Sequence, residues 1–448
     1  MATSLLSLLG FSATAEQANA LGVIESFLNG NDHFLIVRGA AGTGKTSIMS
    51  AVTRFLAEKS IIPVPLGPTG RAAKNLGRKM GIPAKTMHSC FYTPETDVEE
   101  AVVRLTRRDN ECTTQQVFIA DESSMVSDRL DKNGDFVAKN PLLADFIDFM
   151  RQGHAQNKII FVGDAFQLPP VGYDVHDESP ALMASYLQKS YGLRGSTVEL
   201  TEVKRQSNGS SILATANELR RNMEAKRLVT PRRIGQFYKG EQEAVNLYLA
   251  RFEQGQHHHV TILSLTNAYR DRCNALSRRE LGLTGSLSAN DTVVLTQTHV
   301  GQHYVANGEV GVVKAVDSKR HRVADLEFAE AEIVFKDENE AEFSIVSLVL
   351  LNALSAPITK EQRKELFAAE MRNNPAFRTS QDVRDSLYLS ALQLNYGHAL
   401  TVHKAQGSEW DTVIMNTWME HLDLRFLYTG ITRARKELFT NGAHNYAK

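Results

Sequence analysis

The chain contains few of the features that mark secreted, cysteine-rich metal-binding or membrane-spanning proteins. It has 448 residues but only three cysteines and two tryptophans. Cys90, Cys112 and Cys273 have neither CxxC nor zinc-site spacing, which excludes a disulfide scaffold and fits a reducing compartment. No apolar run reaches the roughly 20 residues that a membrane-spanning helix needs. Tryptophan side chains are highly buried on average in globular proteins, so we expect both Trp410 and Trp418 to lie in the core.

The sequence also lacks an excess of charge of either sign. It carries 50 Lys and Arg against 51 Asp and Glu, a formal net charge of −1. Any nucleic-acid site must then be a local basic cleft rather than a wholly basic surface. The N-terminal stretch MATSLLSLLGFSATAEQ has no basic region of the kind that begins a signal peptide. We expect a cytoplasmic protein without a membrane partner.

Four apolar stretches each end in a glycine-rich or acidic turn. They are HFLIVRGAAGTGKT, IIPVPLGPTGR, QQVFIADESSM and KIIFVGDAFQLPPV. Short buried strands that alternate with helices predict an α/β fold with a parallel sheet. In such sheets ligands bind at the carboxyl ends of the strands, where all four turns lie.

The turn GAAGTGKT matches the pattern GxxxxGK[ST] between a strand and a helix. The backbone of Gly42, Thr43 and Gly44 is expected to curl around phosphate groups, at the positive end of the following helix. Lys45 would reach the β- and γ-phosphates of ATP, and Thr46 would bind Mg²⁺. A chance glycine-rich turn is the bland alternative, which the strand and helix on either side disfavour.

Acidic and amide side chains follow two of the other strands. Asp121 is predicted to hold Mg²⁺, and Glu122 to polarise the attacking water. Gln167 in QLPPV would sense the γ-phosphate or orient that water. An exposed acidic pair, and an ordinary turn capped by Asp164, are the structural alternatives.

Phosphoryl transfer also needs positive charge near the outer phosphate oxygens. Arg205 in LTEVKRQ and Arg433 in GITRARKEL are the candidates. Each arginine alone is more often a partner in a surface salt bridge.

Eight motifs occur in a fixed order along the chain: GAAGTGKT, GPTGRAA, TMHS, DESSM, GDAFQLPPV, LTEVKRQ, YGHALTVHKAQGSEWDTVI and LYTGITRAR. Together they resemble motifs I to VI of superfamily 1 helicases, in particular the RecD-like group, and the compact length is similar to that of the phage Dda-type enzymes. In two respects, the QLPPV motif and the lack of large helical inserts, the chain resembles the branch of the superfamily that moves 5′→3′, superfamily 1B. The short segment before the P-loop argues against a role as a nuclease-complex subunit.

The resemblance implies two RecA-like domains with two inserts. The boundaries are 1–90 and 117–200 for domain 1A, 91–116 for a strand-separating pin, 201–290 and 391–448 for domain 2A, and 291–390 for an SH3-like β domain with a helical extension. Within the pin, we expect Phe91, Tyr92 or the stretch Arg104–Arg108 to meet the base pair at the fork.

The resemblance also implies that both RecA-like domains contribute to one ATP site. Gln17 would contact adenine, beside the P-loop, Asp121, Glu122 and Gln167. Arg205, Gly407, Glu409 and Arg433 would complete the site from the second domain.

Further positions match residues that contact a DNA strand in the family. They are Thr69, Thr86, His88, Asn267, Thr401 and His403. Small hydroxyl and histidine contacts to phosphates hold a strand without reading its sequence, which suits translocation.

The expected activity is ATP-dependent 5′→3′ movement on single-stranded DNA with unwinding of forked duplex DNA. Replication, recombination and repair are the open pathways, with a single-strand-binding or replication or recombination protein as the expected partner. Two other interpretations stay open: a helicase directed to RNA, and a P-loop ATPase switch that does not translocate.

Overall fold

The computed structural model describes most of the chain. The described ranges are 4–130, 136–174, 177–202, 211–252, 259–300, 304–305, 307–336 and 341–442. Contacts divide the chain into two compact units. The first comprises Met1–Thr93 and Leu105–Ser210, and the second comprises Pro94–Arg104 and Ser211–Lys448.

The first part of the chain, up to Leu200, contains both helices and strands. The elements are α1 (Ala15–Asn29), β1 (Phe34–Gly39), α2 (Lys45–Glu58), β2 (Ile62–Gly67), α3 (Gly70–Met80), β3 (Lys85–Thr86), α4 (Met87–Phe91), β4 (Tyr92–Asp97), β5 (Val102–Arg107), β6 (Gln116–Ala120), β7 (Phe136–Ala138), α5 (Leu142–Gln152), β8 (Lys158–Gly163), α6 (Ala184–Tyr191) and β9 (Gly195–Leu200).

Six of these strands form a parallel sheet in the order β3-β2-β6-β8-β1-β9. Strand β1 shows why the sheet is buried on both faces. Leu35 and Val37 pack into one apolar core, and Phe34 and Ile36 pack into another. Successive side chains of a strand point to opposite faces, so a continuous apolar run is what a sheet covered on both sides requires. The predicted α/β fold with a parallel sheet is confirmed.

From Ser211 onward, the second unit mixes parallel and antiparallel sheets. Its elements are α7 (Ser211–Glu224), β10 (Gln236–Phe237), α8 (Gly240–Phe252), β11 (Val260–Ser264), α9 (Asn267–Glu280), β12 (Thr292–Leu295), β13 (His299–Val300), β14 (Tyr304–Val305), β15 (Val310–Val323), β16 (Leu326–Lys336), β17 (Glu342–Leu350), α10 (Lys360–Asn373), α11 (Pro375–Ser380), β18 (Leu394–Tyr396), β19 (Ala399–Thr401), β20 (Trp410–Met415), α12 (Leu424–Ile431) and β21 (Ala434–Thr440).

Two sheets organise this unit. One is parallel, with the order β10-β21-β20-β11-β19. The other is antiparallel, with the order β17-β16-β15-β12-β18, and has its own apolar core. Helix α10 begins with the predicted capping box, in which Thr359 and Gln362 satisfy each other's backbone N–H groups.

A buried set of polar side chains, here called the polar junction, lies where the chain passes between these two sheets. His398 and Asp291 are fully buried, with His398 Nε2 3.6 Å from Asp291 Oδ1. Arg278 of α9 pairs with both oxygens of Asp291, at 2.8 and 3.1 Å. Tyr248 Oη lies 3.2 Å from His398 Nδ1. The Arg278 guanidinium thus compensates the buried carboxylate.

Residues 94–104, the tip segment, comprise the end of β4, the turn and the start of β5, and they pack within the second unit. Ala101 is 1% exposed and shares an apolar cluster with Phe367 of α10 and Phe377 of α11. Lys360 Nζ also donates to Glu100 Oε2 at 2.9 Å. The tip segment is therefore fastened to the helices that follow the antiparallel sheet.

None of the helices in the described ranges combines the length and apolar character needed to cross a membrane.

Candidate nucleotide and nucleic-acid sites

The strand order of the first sheet brings three sequence motifs to one edge. Strand β8 lies between β6 and β1, with Ala120 opposite Phe161 and Val37 opposite Val162. Because the strands are parallel, the turns that follow β1, β6 and β8 lie side by side. These turns carry the P-loop, the Asp121–Glu122 pair and Gln167.

The P-loop runs from the end of β1 to the start of α2. Gly44 is left-handed, with φ of 90°, and a Cβ there would lie 2.6 Å from Gln17 Nε2. Thr43 is buried and donates from Oγ1 to the Ala40 carbonyl at 3.0 Å. Lys45 Nζ folds back onto the carbonyls of Gly39 and Ala40, at 2.5 and 3.0 Å. The ammonium group thus lies inside the loop that would surround phosphate groups.

Gln17 braces the P-loop from helix α1. Its Oε1 accepts from the Thr14 N–H at 3.1 Å, and its backbone N–H donates to Thr14 Oγ1 at 3.2 Å, which completes a capping box. Its Nε2 donates to the Thr43 carbonyl at 3.0 Å. The side chain is 1% exposed. The structure therefore gives Gln17 a bracing role, and its contact with adenine stays a prediction.

The acidic pair lies directly after β6. Burial raises the pKa of Asp121, against the opposing effect of the nearby Lys45 ammonium. The Glu122 N–H donates to Asp121 Oδ1 at 3.0 Å. Glu122 has a left-handed backbone with φ of 50°, a strained conformation for a non-glycine residue, of the kind that occurs at functional sites. The interpretation as an ordinary exposed acidic pair does not fit, because neither residue is exposed.

The oxygen ligands suit Mg²⁺. Thr46 is the second residue of α2, and Asp121 is a half-buried carboxylate close to Lys45. Among the described residues no three His, Cys, Asp or Glu side chains cluster as a metal site. A P-loop magnesium site does not need such a cluster, because the nucleotide phosphates supply further oxygens. Thr46 and Asp121 therefore fit as its protein ligands.

Gln167 follows β8 in a turn that Asp164 does cap. The Phe166 N–H donates to Asp164 Oδ1 at 3.0 Å, and the Gln167 N–H donates to the Asp164 carbonyl at 3.2 Å. Gln167 is 4% exposed and precedes the buried Pro169 and Pro170. The turn capped by Asp164 is thus compatible with the predicted role of Gln167 at the γ-phosphate or the attacking water, since the cap fixes where the Gln167 backbone lies.

One further contact at this edge, made by the Glu16 carboxylate, could not be predicted from the sequence. The Glu16 carboxylate accepts from the N–H groups of Thr201 and Glu202, both at 2.7 Å, and from the Thr201 hydroxyl. It ties the start of α1 to the chain just after β9. The adjacency of Glu16 and Gln17 is the one hint that the sequence offers. Arg205, a few residues further on, lies outside the described residues.

The second unit carries the other predicted nucleotide residues. Arg433 is 3% exposed, and its guanidinium donates to the Thr429 and Ser408 carbonyls at 3.0 and 3.2 Å and to Thr432 Oγ1 at 3.1 Å. The structure thus buries Arg433 among neutral oxygens, so the alternative of a surface salt bridge is wrong.

The turn after β19 contains Gly407 and Glu409. Gly407 has φ of 72°, a left-handed conformation that glycine adopts without strain. Glu409 Oε2 accepts from Arg435 Nε at 3.2 Å. Arg435, two residues after Arg433, thus forms an ion pair with Glu409, a residue predicted to contact the nucleotide. The contacts of Gly407 and Glu409 with nucleotide stay predictions.

The predicted strand contacts of the first unit follow β2 and β3. Thr69 caps α3 by accepting from the Ala72 N–H at 3.2 Å, and Thr86 caps α4 by accepting from the Ser89 N–H at 3.0 Å. His88 is exposed on α4. Both threonines therefore have a structural role as helix caps. Phosphate contacts by all three residues stay predictions.

The predicted strand contacts of the second unit follow β11 and β19. Asn267 is the exposed first residue of α9. Thr401 ends β19 and accepts from the Lys404 N–H at 3.4 Å. Burial lowers the pKa of His403, while the nearby Asp423 carboxylate opposes that shift. The parallel strands bring these three residues to one edge of the second sheet.

Two expectations about aromatic residues are wrong. Phe91 is fully buried and stacks on Phe146, with ring centroids 4.7 Å apart, and the Tyr92 hydroxyl donates to the buried Asp145 at 2.8 Å. Neither side chain can meet a fork base pair from the core, which leaves Arg104–Arg108 among the pin candidates. Trp410 is buried as expected, but Trp418 is exposed.

Comparison with known proteins agrees with this arrangement. Residues 12–242, just over half of the chain, match a family model described as AAA domain, and residues 396–439 match the UvrD-like helicase C-terminal domain. The ATP-dependent RecD2 DNA helicase of Deinococcus radiodurans is 27% identical over 91% of this chain and 47% of its own length. The ATP-dependent DNA helicase dda of Enterobacteria phage T4 is 27% identical over 46% of this chain and 42% of its own length. The chain thus spans about half the length of these relatives.

Solved structures share the fold. The Pif1 helicase from Bacteroides, in complex with ADP-AlF3 and ssDNA, aligns with a TM-score of 0.51 and 17% identity, over 96% of this chain and 93% of the other. A structure of Pif1 helicases at forked dsDNA aligns with a TM-score of 0.52 and 17% identity, over 96% and 92%. The match over residues 12–242 places the chain: it belongs to the AAA domain family, and its sequence is similar to those of the RecD2 and dda DNA helicases.

Proposed function

We propose that this chain is an ATP-dependent DNA helicase that moves 5′→3′ on single-stranded DNA and unwinds forked duplex DNA. The observation that carries the proposal is the shared edge of β1, β6 and β8. The turns that follow these strands carry the P-loop lysine, the half-buried Asp121 carboxylate and Gln167. The similarity to ATP-dependent DNA helicases supports the substrate.

The residues have distinct roles in hydrolysis. The P-loop N–H groups and Lys45 hold the β- and γ-phosphates, and Gln17 keeps the loop in shape. Thr46 and Asp121 would hold Mg²⁺, which neutralises phosphate charge when bound. Glu122 accepts a proton from the attacking water, and Gln167 orients that water.

Further residues complete the proposed cycle. Arg433 stabilises the charge that develops on the transferred phosphoryl group, and Arg205 is a second candidate for this role. Gly407 and Glu409 contribute to nucleotide binding. A cycle of ATP binding and release then drives stepping along the strand. A single-strand-binding or replication or recombination protein is the proposed partner in the cell.

The test is unwinding of a labelled duplex in ATP and Mg²⁺, with a 5′ or a 3′ single-stranded tail. We expect unwinding from the 5′ tail alone and ATPase activity that rises with single-stranded DNA. Unwinding from the 3′ tail alone would contradict the polarity. No unwinding, with ATPase activity indifferent to DNA, would support the switch. Equal or better activity on RNA of the same sequence would favour the RNA-directed alternative.

Lys45, which begins helix α2, and Lys59, which directly follows it, provide a matched pair of substitutions. Lys45→Ala is expected to lower ATP turnover by about 10²–10³-fold or more, as for the loss of one transition-state donor. Lys59, at the other end of α2, is exposed and donates to Asn29 Oδ1 at 3.0 Å. Lys59→Ala is expected to keep wild-type turnover. Normal turnover in Lys45→Ala would show that the site is misassigned.

A further inference from the structure

The two tryptophans lie in opposite environments. Trp410 is 3% exposed, whereas Trp418 is 56% exposed. Its two neighbours, Thr417 and Met419, are 3% and 1% exposed. The large ring therefore projects from a chain segment that is itself anchored in the protein.

Hydrogen bonds hold the backbone on which Trp418 stands. The Trp418 N–H donates to Asn416 Oδ1 at 3.0 Å, and the Asn416 N–H donates to the Leu263 carbonyl at 2.8 Å. Thr417 donates to Asn441 Oδ1 from both its N–H, at 2.8 Å, and its hydroxyl, at 2.9 Å. A ring presented by a fixed backbone loses little conformational entropy when a ligand stacks on it.

Trp418 lies at the same sheet edge as three predicted strand contacts. It follows β20, which pairs with β11, and β11 pairs with β19. Asn267 follows β11, and Thr401 and His403 lie at and after the end of β19. Two strand spacings separate β20 from β19, which is about 10 Å.

The segment after Trp418 leads to Asp423, which lies close to His403. Met419 Sδ accepts from the Asp423 N–H at 3.1 Å, and Asp423 caps α12. The Asp423 carboxylate lies close enough to His403 to influence its charge. The exposed ring and the predicted phosphate contacts thus belong to one connected surface of the second unit.

We propose that Trp418 is a stacking platform for an unpaired base of single-stranded DNA. This inference rests on the proposed function and deepens it, because it adds a base contact to contacts that address phosphates. Every base has a π-face, so stacking holds a strand without selecting its sequence. Such a contact can form and break at each step of a motor.

The experiment measures the affinity of the full chain for a labelled oligo-dT by fluorescence anisotropy. Trp418→Ala is expected to weaken binding by about 5–150-fold, the range for the loss of one stacked base. Trp418→Phe, which keeps a smaller ring, should recover most of that loss. Leu387→Ala is the control, because Leu387 is a large apolar side chain of the same unit that is 75% exposed. It should bind as the wild type does.

An oligonucleotide with abasic sites separates stacking from phosphate contacts. The wild type should prefer oligo-dT over an abasic strand of equal length, and Trp418→Ala should lose most of this preference. Intrinsic fluorescence gives a second readout. Oligo-dT should quench the wild type but not Trp418→Phe, in which the buried Trp410 is the one remaining tryptophan.

If Trp418→Ala bound oligo-dT as tightly as the wild type and kept the same preference for oligo-dT over the abasic strand, this inference would be wrong. The proposed helicase function would be unaffected. If the wild-type chain neither bound oligo-dT nor showed DNA-stimulated ATPase activity, the proposed function would fall, and the inference with it.

Discussion

At the scale of single residues, Arg433 is held in a closed set of hydrogen bonds. Its guanidinium is buried and donates to two carbonyls and one hydroxyl of its own unit. An arginine that acts on a phosphate must exchange these neutral acceptors for charged oxygens, which form stronger hydrogen bonds. We therefore expect Arg433 to contribute to hydrolysis more than to binding of the nucleotide.

Arg433→Ala should lower the rate of phosphate release by about 10³-fold or more, as expected for an arginine finger. Binding of a fluorescent ATP analogue should change little. Lys436→Ala is the control, because Lys436 is exposed and pairs with Asp411 at 2.8 Å. Arg433→Lys keeps the charge and tests whether the forked geometry matters. A normal rate in Arg433→Ala would remove this residue from the site.

His398 gives the polar junction a predictable dependence on pH. Burial lowers the pKa of His398, with Arg278 adding to that shift and Asp291 opposing it. Below pH about 6.5 the unfolded chain therefore binds a proton that the folded chain does not. The free energy of unfolding should fall with decreasing pH, by at most about 1.4 kcal/mol per pH unit for this group.

Urea unfolding at pH 7.5 and pH 5.5 measures this effect. His398→Gln should show a smaller loss of stability between the two pH values than the wild type does, whatever its stability at pH 7.5. Equal losses in the two proteins would show that His398 does not carry the acid sensitivity.

At the scale of elements, two capping boxes allow stability to be separated from function. Thr14 and Thr359 each begin a helix with the same reciprocal pair of hydrogen bonds, α1 with Gln17 and α10 with Gln362. Thr14→Ala and Thr359→Ala should each cost about 1 kcal/mol of stability.

Only the box of α1 also positions a side chain against the P-loop, through Gln17 and the Thr43 carbonyl. Thr14→Ala should therefore weaken ATP binding as well, and Thr359→Ala should not. Thermal unfolding and nucleotide titration of both variants provide the comparison. Equal ATP affinity in the two variants would show that the capping box of α1 does not support the P-loop.

The sequence predicts these elements well where local chemistry decides the structure. The parallel strands and the Thr359 capping box follow from apolar runs and cap residues, which act over a few residues. The burial of Arg433 and the exposure of Trp418 cannot be predicted in this way, because they depend on contacts between distant parts of the chain. Phe91 shows the same limit, since Phe146 of α5 determines that its ring enters the core.

At the scale of the whole molecule, the tip segment joins β4 and β5 to α10 and α11, the helices between β17 and β18. Ala101 has a left-handed backbone with φ of 54°, which Asp adopts more readily than most residues. Ala101→Asp should therefore leave the turn intact but bring a charge into the cluster of Phe367 and Phe377. We expect the tip segment to detach, because an unpaired buried charge is strongly unfavourable.

The expected outcome is slower unwinding of forked DNA, with ATPase activity on single-stranded DNA retained. Glu99→Ala, at an exposed neighbouring position, serves as the control. If Ala101→Asp unwound forks at the wild-type rate, a fixed tip segment would not be needed for strand separation.

The tip segment also constrains how such a chain can change during evolution. Val98 and Ala101 of the tip segment join an apolar cluster whose other members lie more than 250 positions later. Recombination that exchanged the tip segment between relatives would leave Phe367 and Phe377 facing a foreign loop. The tip segment and helices α10 and α11, distant in the gene, are therefore expected to be inherited together.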